Sequence, residues 1–168
     1  MQPISQTHTP SPAPAENQPA IAAALGRIPS GLFVVSWWEA NSDRTMLASW
    51  VMQAGFSPPL VSIAVAASRD LLAVLDRGEM VAVSVLGESQ RPLLSRFGKP
   101  TPDAFEGLAV LRTPAGSAAL ADAAAWLECR RVASAPHGDH VVVLAEVTAA
   151  GGGDLEPLVH IRRNGLRY

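Results

Sequence analysis

Two apolar runs, Met46 to Ala54 and Leu60 to Ala67, are separated by Gly55-Phe56-Ser57-Pro58-Pro59. A prolyl ring fixes φ and removes an N–H, and the residue before it is driven out of helical geometry, so Pro58-Pro59 forbid a continuous helix here. Gly55 supplies the backbone freedom of a tight connection. The stretch is therefore predicted as two strands around a sharp break. In the first run the small side chains of Ala48, Ser49 and Ala54 lie near the bulky Trp50. A planar ligand could approach such a backbone beside an aromatic wall, although the same composition also serves an ordinary core.

The flanking sequence repeats the pattern of short apolar runs and turn residues. Leu32 to Trp38 predicts the first strand, and the polar turn Asn41-Ser42-Asp43-Arg44 folds it back on Met46 to Ala54 as an antiparallel hairpin. Leu71, Leu72 and Leu75 share one helical face between Asp70 and Arg77, with Ser68 as the expected cap and Gly78 as the stop. Met80 to Leu86 predicts a strand, and Ser89 opens a short helix carrying Leu93, Leu94 and Phe97. Trp126 to Ala133, His140 to Thr148 and Leu158 to Arg162 are three further strand candidates, divided by Pro136-His137-Gly138-Asp139 and Gly151-Gly152-Gly153-Asp154. Some seven short strands with brief helical insertions predict a mostly β fold, a closed or nearly closed antiparallel barrel instead of an alternating βαβ sheet.

Residues 1 to 18, rich in Pro, Ser, Thr and Gln, have too little apolar surface to offset ordering entropy. They are expected to form a disordered tail, leaving 19–168 as one domain opened by a helical turn at Ile21 to Leu25 and Gly26. Thirteen basic residues nearly balance 15 acidic ones, for a net charge of -2, which argues against a nucleic-acid or anionic-membrane surface. The single Cys129 excludes an internal disulfide framework and a multi-cysteine zinc site, and fits a reducing cytoplasm. No apolar run approaches the about 18 residues of a spanning helix, and the N-terminus lacks a basic start followed by an apolar run. The expectation is a soluble, cytoplasmic protein.

Neither G-x-G-x-x-G nor a Walker-type Gly-Lys-Ser occurs, so a Rossmann or P-loop nucleotide site is not expected. Ser68-Arg69, at a strand end before a helix, reads either as a phosphate contact or as plain capping beside a solvated arginine. His137-Gly138-Asp139-His140 places two histidines three apart without a third ligand nearby, and no metal site is expected there. The same turn either brings Asp139 and His140 to a pocket edge or is an exposed hairpin corner. No nucleophile elbow and no acid/base carboxylate couple is visible, so catalysis by this chain would rest on a bound cofactor.

Several motifs in order give the chain a family resemblance: Gly31-Leu-Phe-Val-Val, Met46-Leu-Ala-Ser-Trp-Val, Phe56-Ser-Pro-Pro, Phe105-Glu-Gly-Leu, Trp126-Leu-Glu-Cys, Gly138-Asp-His, Pro157-Leu-Val-His and the terminal Asn164-Gly-Leu-Arg-Tyr. From about Ala24 to Tyr168 the chain resembles the flavin reductase-like FMN-binding split barrels, and is most similar to the reductase-like domains fused to flavodiiron proteins of oxygenic phototrophs. The resemblance implies a homodimeric split barrel that binds FMN, with FAD as the alternative, and takes hydride from NAD(P)H. It places Met46, Ala48, Ser49 and Trp50 along the isoalloxazine ring, Ala67, Ser68 and Arg69 near the phosphate, and Ser89 and Gln90 near the same tail. It assigns Asp139 and His140 to the substrate side, with His140 meeting the pyridine nucleotide. The implied activity is an NAD(P)H-dependent flavin reductase that supplies reduced flavin or electrons to a partner oxygenase or oxidase. The alternatives are an FMN electron relay and a flavin-binding module without turnover. The chain departs from the family pattern at Thr45, where many members have Gly, and at Ser84, where many have Asn.

Overall fold

The computed structural model describes residues 17–99, 101 and 103–166, so the tail expected over 1–18 falls almost wholly outside the described residues. The chain divides into two units, one running from Pro29 to His160 and one made of the segments on either side of it. In the latter, helix α1 (Gln18–Gly26) starts with Pro19 in its first turn, where a missing N–H costs nothing. Its Ala22 carbonyl accepts the Gly165 N–H at 2.8 Å.

The larger unit is built on a seven-stranded antiparallel sheet in the order β2-β1-β5-β8-β9-β4-β3. Its strands are β1 (Phe33–Glu39), β2 (Ser42–Ala48), β3 (Val51–Phe56), β4 (Pro59–Ala66), β5 (Val81–Val85), β8 (Ala125–His137) and β9 (His140–Gly152). Strands β6 (Val110–Arg112) and β7 (Ala118–Leu120) form a separate pair. Helix α2 (Leu71–Asp76) lies between β4 and β5, and a 3₁₀ segment (Glu88–Leu93) and helix α3 (Leu94–Phe97) lie between β5 and β6.

The two edge strands, β2 and β3, are consecutive in the chain, with only Ser49 and Trp50 between Ala48 and Val51. Three Cα steps reach about 11 Å at most, whereas the edges of a flat seven-stranded sheet would lie about 29 Å apart. The sheet must therefore curl until its edges meet at Ser49-Trp50, which is a split barrel. All seven strands and α2 feed the interior, where Val35, Ile63, Leu71, Leu75, Val83, Cys129 and Val143 are buried. Each fully buried Val or Leu side chain contributes about 1.5–3 kcal/mol by leaving water.

Strand β1 is buried from Phe33 to Trp37 because both of its faces are covered. Phe33, Val35 and Trp37 face the barrel core, while Val34 joins a second cluster with Leu86, Phe97, Ala104 and Leu158. The β6–β7 pair is tied to β1 and β5 through buried serines: Ser36 Oγ donates to the Ala118 carbonyl, and Ser84 Oγ accepts the Leu120 N–H at 3.0 Å. Ser84 is thus a structural acceptor in the wall of the barrel.

Several sequence expectations are corrected. The run Met46 to Ala54 is two strands: it breaks at Ser49-Trp50, and its halves pair with β1 and β4 respectively. The β1–β2 turn is Ala40-Asn41, both at positive φ (51° and 61°), the backbone of a tight two-residue hairpin, and Ser42 to Arg44 already lie in β2. Ser68 does not cap α2; Asp70 is the N-cap residue, with no side-chain cap bond. Leu158 to Arg162 is no strand and contributes through the bridges Gly87 to Pro157 and Ser30 to His160. Strands β8 and β9 extend well beyond their expected ends, because the long hairpin they form pairs with itself after β5 stops.

Candidate functional site

A cavity of about 830 Å³ opens where the β1–β2 hairpin faces the segment after β4. Thr45 and Met46 from β2, Arg44 beside them, and Arg69 and Asp70 before α2 all line it, with Thr101 and Ala104 to Glu106 closing one side. Met46 is buried and holds its place by packing in the barrel core, so β2 is anchored while its outer edge stays unpaired in the split.

Charge around the cavity is sorted into paired and unpaired groups. Glu39 accepts Arg77 Nη2 at 2.9 Å and the Trp37 indole N–H at 3.3 Å. Arg77 first, then Trp37, hold its carboxyl below the usual range. Asp43 takes a bidentate pair from Arg112 at 2.6 and 2.8 Å, and the same guanidinium lies 5.5 Å from the Trp38 ring centroid. Among the described residues, Arg44 and Arg69 form no side-chain hydrogen bond or ion pair, although the charge of Arg44 also acts on Glu39.

A second group of residues meets the first through the turn after β4. Ala66 pairs with His140, the Ala67 N–H donates to the Asp139 carbonyl at 2.9 Å, and the Arg69 N–H donates to Ala66. Asp139 Oδ1 lies 2.9 Å from His140 Nδ1, and the His140 hydrogen bond is the main cause that lowers the Asp139 carboxyl below its ordinary value. The His140 side chain is 15% exposed and Asp139 95%. The Trp50 ring meets the His140 ring edge-on, and the Trp50 carbonyl accepts the Ala64 N–H, which fixes the base of this wall.

The residues singled out from sequence therefore do not share one place. Met46 and Arg69 line the cavity; Trp50, Asp139 and His140 form the adjoining group, to which Ala67 is bonded; and Ala48 and Ser49 are buried where the sheet edges meet. Ser68 is exposed in the linking turn. Ser89 and Gln90 do not line the cavity: Gln90 accepts the Gly87 N–H at 3.0 Å and donates to the Asp122 carbonyl at 3.1 Å, bracing the 3₁₀ segment. Sequence reading passed over Arg44 and Trp38, which gave no motif; only the hairpin register, with Arg44 opposite Trp37 and Asp43 opposite Trp38, brings them to the cavity.

Residues 25–166 match the flavin reductase like domain family. The chain belongs to that family. Its relatives include diflavin flavoprotein A 1 of Synechocystis sp. (strain PCC 6803), 34% identical over 152 residues, covering 86% of this chain and 26% of that protein. A similarly named Nostoc sp. (strain PCC 7120) protein is 37% identical over 151 residues, covering 86% and 26%. The chain thus spans about a quarter of the length of the curated relatives it matches. Among solved structures it is similar to the Streptomyces globisporus NADH:FAD oxidoreductase SgcE6 in complex with NAD and FAD fragments, with TM-score 0.79 and 26% identity over 94% of each chain. It is also similar to the styrene monooxygenase flavin reductase of Pseudomonas putida S12, with TM-score 0.74 and 27% identity over 84% of this chain and 91% of that one. Family membership places this flavin reductase-like domain among the flavin-handling oxidoreductases.

Among the described residues, no helix is long and apolar enough to cross a membrane.

Proposed function

We propose that this domain is an NAD(P)H:flavin reductase that uses bound FMN and passes reduced flavin or electrons to an oxygenase or oxidase. The observation that carries this reading is that Arg69, in the cavity lining, follows the turn 66–69, whose Ala67 N–H is bonded to Asp139 beside the Trp50–His140 pair. The residues fit a flavin: a cavity within the ~300–1,000 Å³ range of small-molecule sites, Arg69 in its lining as a cation for a phosphate, and, outside that lining, Trp50 beside the small Ala48 and Ser49. When bound, the flavin supplies the hydride-accepting ring, chemistry that none of the side chains here could supply.

The protein's own part is positioning. Ser49 and Trp50 stiffen the split where a ring would rest, and Arg69 offers a guanidinium to the phosphate. His140, held by Asp139 and Trp50, orients a nicotinamide on the exposed side. A homodimer suits the fold's exposed apolar side chains, among them Met52 (62% exposed) and Phe56 (90%) on the edge strand β3. The same reading places the enzyme in the cytoplasm, whose reducing conditions suit the single, buried thiol of Cys129.

Anaerobic mixing of the flavin-loaded protein with NADH and with NADPH tests the reading. Bleaching of the visible oxidised-flavin absorbance is the expected result. An unchanged spectrum with flavin still bound would favour an electron relay, and no flavin binding would remove the proposal.

A further inference from the structure

Helix α2 has six residues, too few to be stable alone, and no side-chain bond caps its N-terminus. Leu71, Val74 and Leu75 anchor its inner face in the barrel core, but burying one face leaves the polar groups at the helix ends to be tied separately. Both ties come from the β8–β9 hairpin. Ahead of the helix, the Ala67 N–H donates to the Asp139 carbonyl at 2.9 Å, in the hairpin turn. At its far end, Arg131 Nε donates to the Leu75 carbonyl at 3.1 Å. The Leu72 N–H donates to the Arg69 carbonyl at 3.2 Å, so the main chain of Arg69 moves with the helix.

Local strand structure brings Arg131 there. The pairing of β8 with β5 ends at Cys129 opposite Val81. Just beyond, Arg131 pairs with Ala145 and Ala133 with Leu144, so Val132 is the extra residue of a bulge, which bends a strand and re-aims its side chains. The guanidinium also lies 3.5 Å from Asp76 and 3.4 Å from Ser134 Oγ. Asp76 is 68% exposed, and an ion pair that open contributes little. A cation on a carbonyl at a helix C-terminus instead meets the negative end of the peptide dipoles, so the Leu75 bond is the tie. We propose that Arg131 is a positioning residue: by holding the C-terminal end of α2 to the β8–β9 hairpin, it sets where Arg69 stands in the cavity lining and thereby the preference for FMN over riboflavin. This rests on the flavin reductase reading, in which Arg69 meets the phosphate, and adds to it a residue outside the cavity lining.

The test compares the wild-type protein with Arg131→Met, which keeps an apolar stem but no donor, and with Arg131→Lys, which can still donate to the carbonyl. Each is titrated with FMN and with riboflavin by quenching of flavin fluorescence. Arg131→Met should weaken FMN about fivefold, the worth of one hydrogen bond, with riboflavin affinity unmoved. Arg131→Lys should recover part of that loss. A general loosening of the fold would weaken both flavins together, so an equal loss for the two, or no loss for either, overturns the positioning role. In that case the flavin reading stands as long as Arg69→Ala separates FMN from riboflavin. If Arg69→Ala does not separate them, or the wild type binds neither flavin, both the positioning role and the phosphate contact are overturned.

Discussion

The ring centroids of Trp50 and His140 lie 5.0 Å apart at 61°, joining the turn between β2 and β3 to the first residue of β9. This contact ties the place where the sheet edges meet to the Gly138-Asp139 turn, residues 90 positions apart in sequence made neighbours by the curl of the barrel. An edge-on aromatic pair contributes about 0.5–1.5 kcal/mol beyond area burial, enough to hold the imidazole in one orientation.

On the proposed reading, in which His140 orients the nicotinamide, His140→Ala should slow NAD(P)H-dependent flavin reduction while leaving flavin affinity nearly unchanged. Loss of one positioning contact predicts a decrease of about tenfold or more in the hydride-transfer rate. Stopped-flow reduction under anaerobic conditions measures it. An unaltered rate would remove His140 from the site.

Arg69→Ala should weaken FMN more than riboflavin, since only FMN has the phosphate. The expected difference is about 1.5–3 kcal/mol, the range for hydrogen bonds to charged groups. Parallel fluorescence titrations decide it, and equal losses for the two flavins would refute a phosphate role.

Cys129 is fully buried, and burial, followed by the charge of Glu128, pushes its thiol from an ordinary 9.0 up to about 12. A raised pKa means that the folded protein holds the proton more tightly than the unfolded chain. The associated stability is complete below pH 9.0 and is lost as pH rises toward about 12. Wild-type stability should fall across this window by up to about 1.4 kcal/mol per pH unit from this group alone. Cys129→Ala lacks that loss, so urea midpoints of the two proteins should converge as pH rises from 9; parallel curves would contradict the assignment.

Gly151 lies directly opposite Trp126 on the β8–β9 hairpin, and a Cβ there would sit 2.5 Å from the indole Nε1. Gly151→Ala should therefore destabilise the fold by about 1–3 kcal/mol, the range for overpacking. The effect should shrink in a Trp126→Ala background, because the two residues share the strain. Thermal melts of the four proteins form the cycle, and full additivity would show that the indole is not the obstacle.

The local grammar of the chain was legible without coordinates. Pro58-Pro59, Gly78 and the alternating apolar runs placed β1, β4, β5, α2 and the starts of β8 and β9 near their observed positions, because turn chemistry and side-chain period act over a few residues. The ordered motifs around Met46, Phe56, Trp126 and Gly138 pointed to the family that residues 25–166 match. Composition and spacing could not show that the run from Met46 breaks at Ser49-Trp50 or that Leu158 to Arg162 only bridges. Those outcomes depend on which strand becomes an edge, and pairing partners lie far apart in sequence.

The sequence by itself determined a mostly β chain, the residues at its tight turns, and a family signature carried by short motifs. Tertiary structure decided that Arg44 and Arg69 share one cavity while Arg77 and Arg112 are spent on Glu39 and Asp43. It also brought Trp50 against His140. The physical reason is closure: joining two sheet edges through two residues sets a register shift around the barrel, and that shift, invisible in any local window, selects which side chains meet.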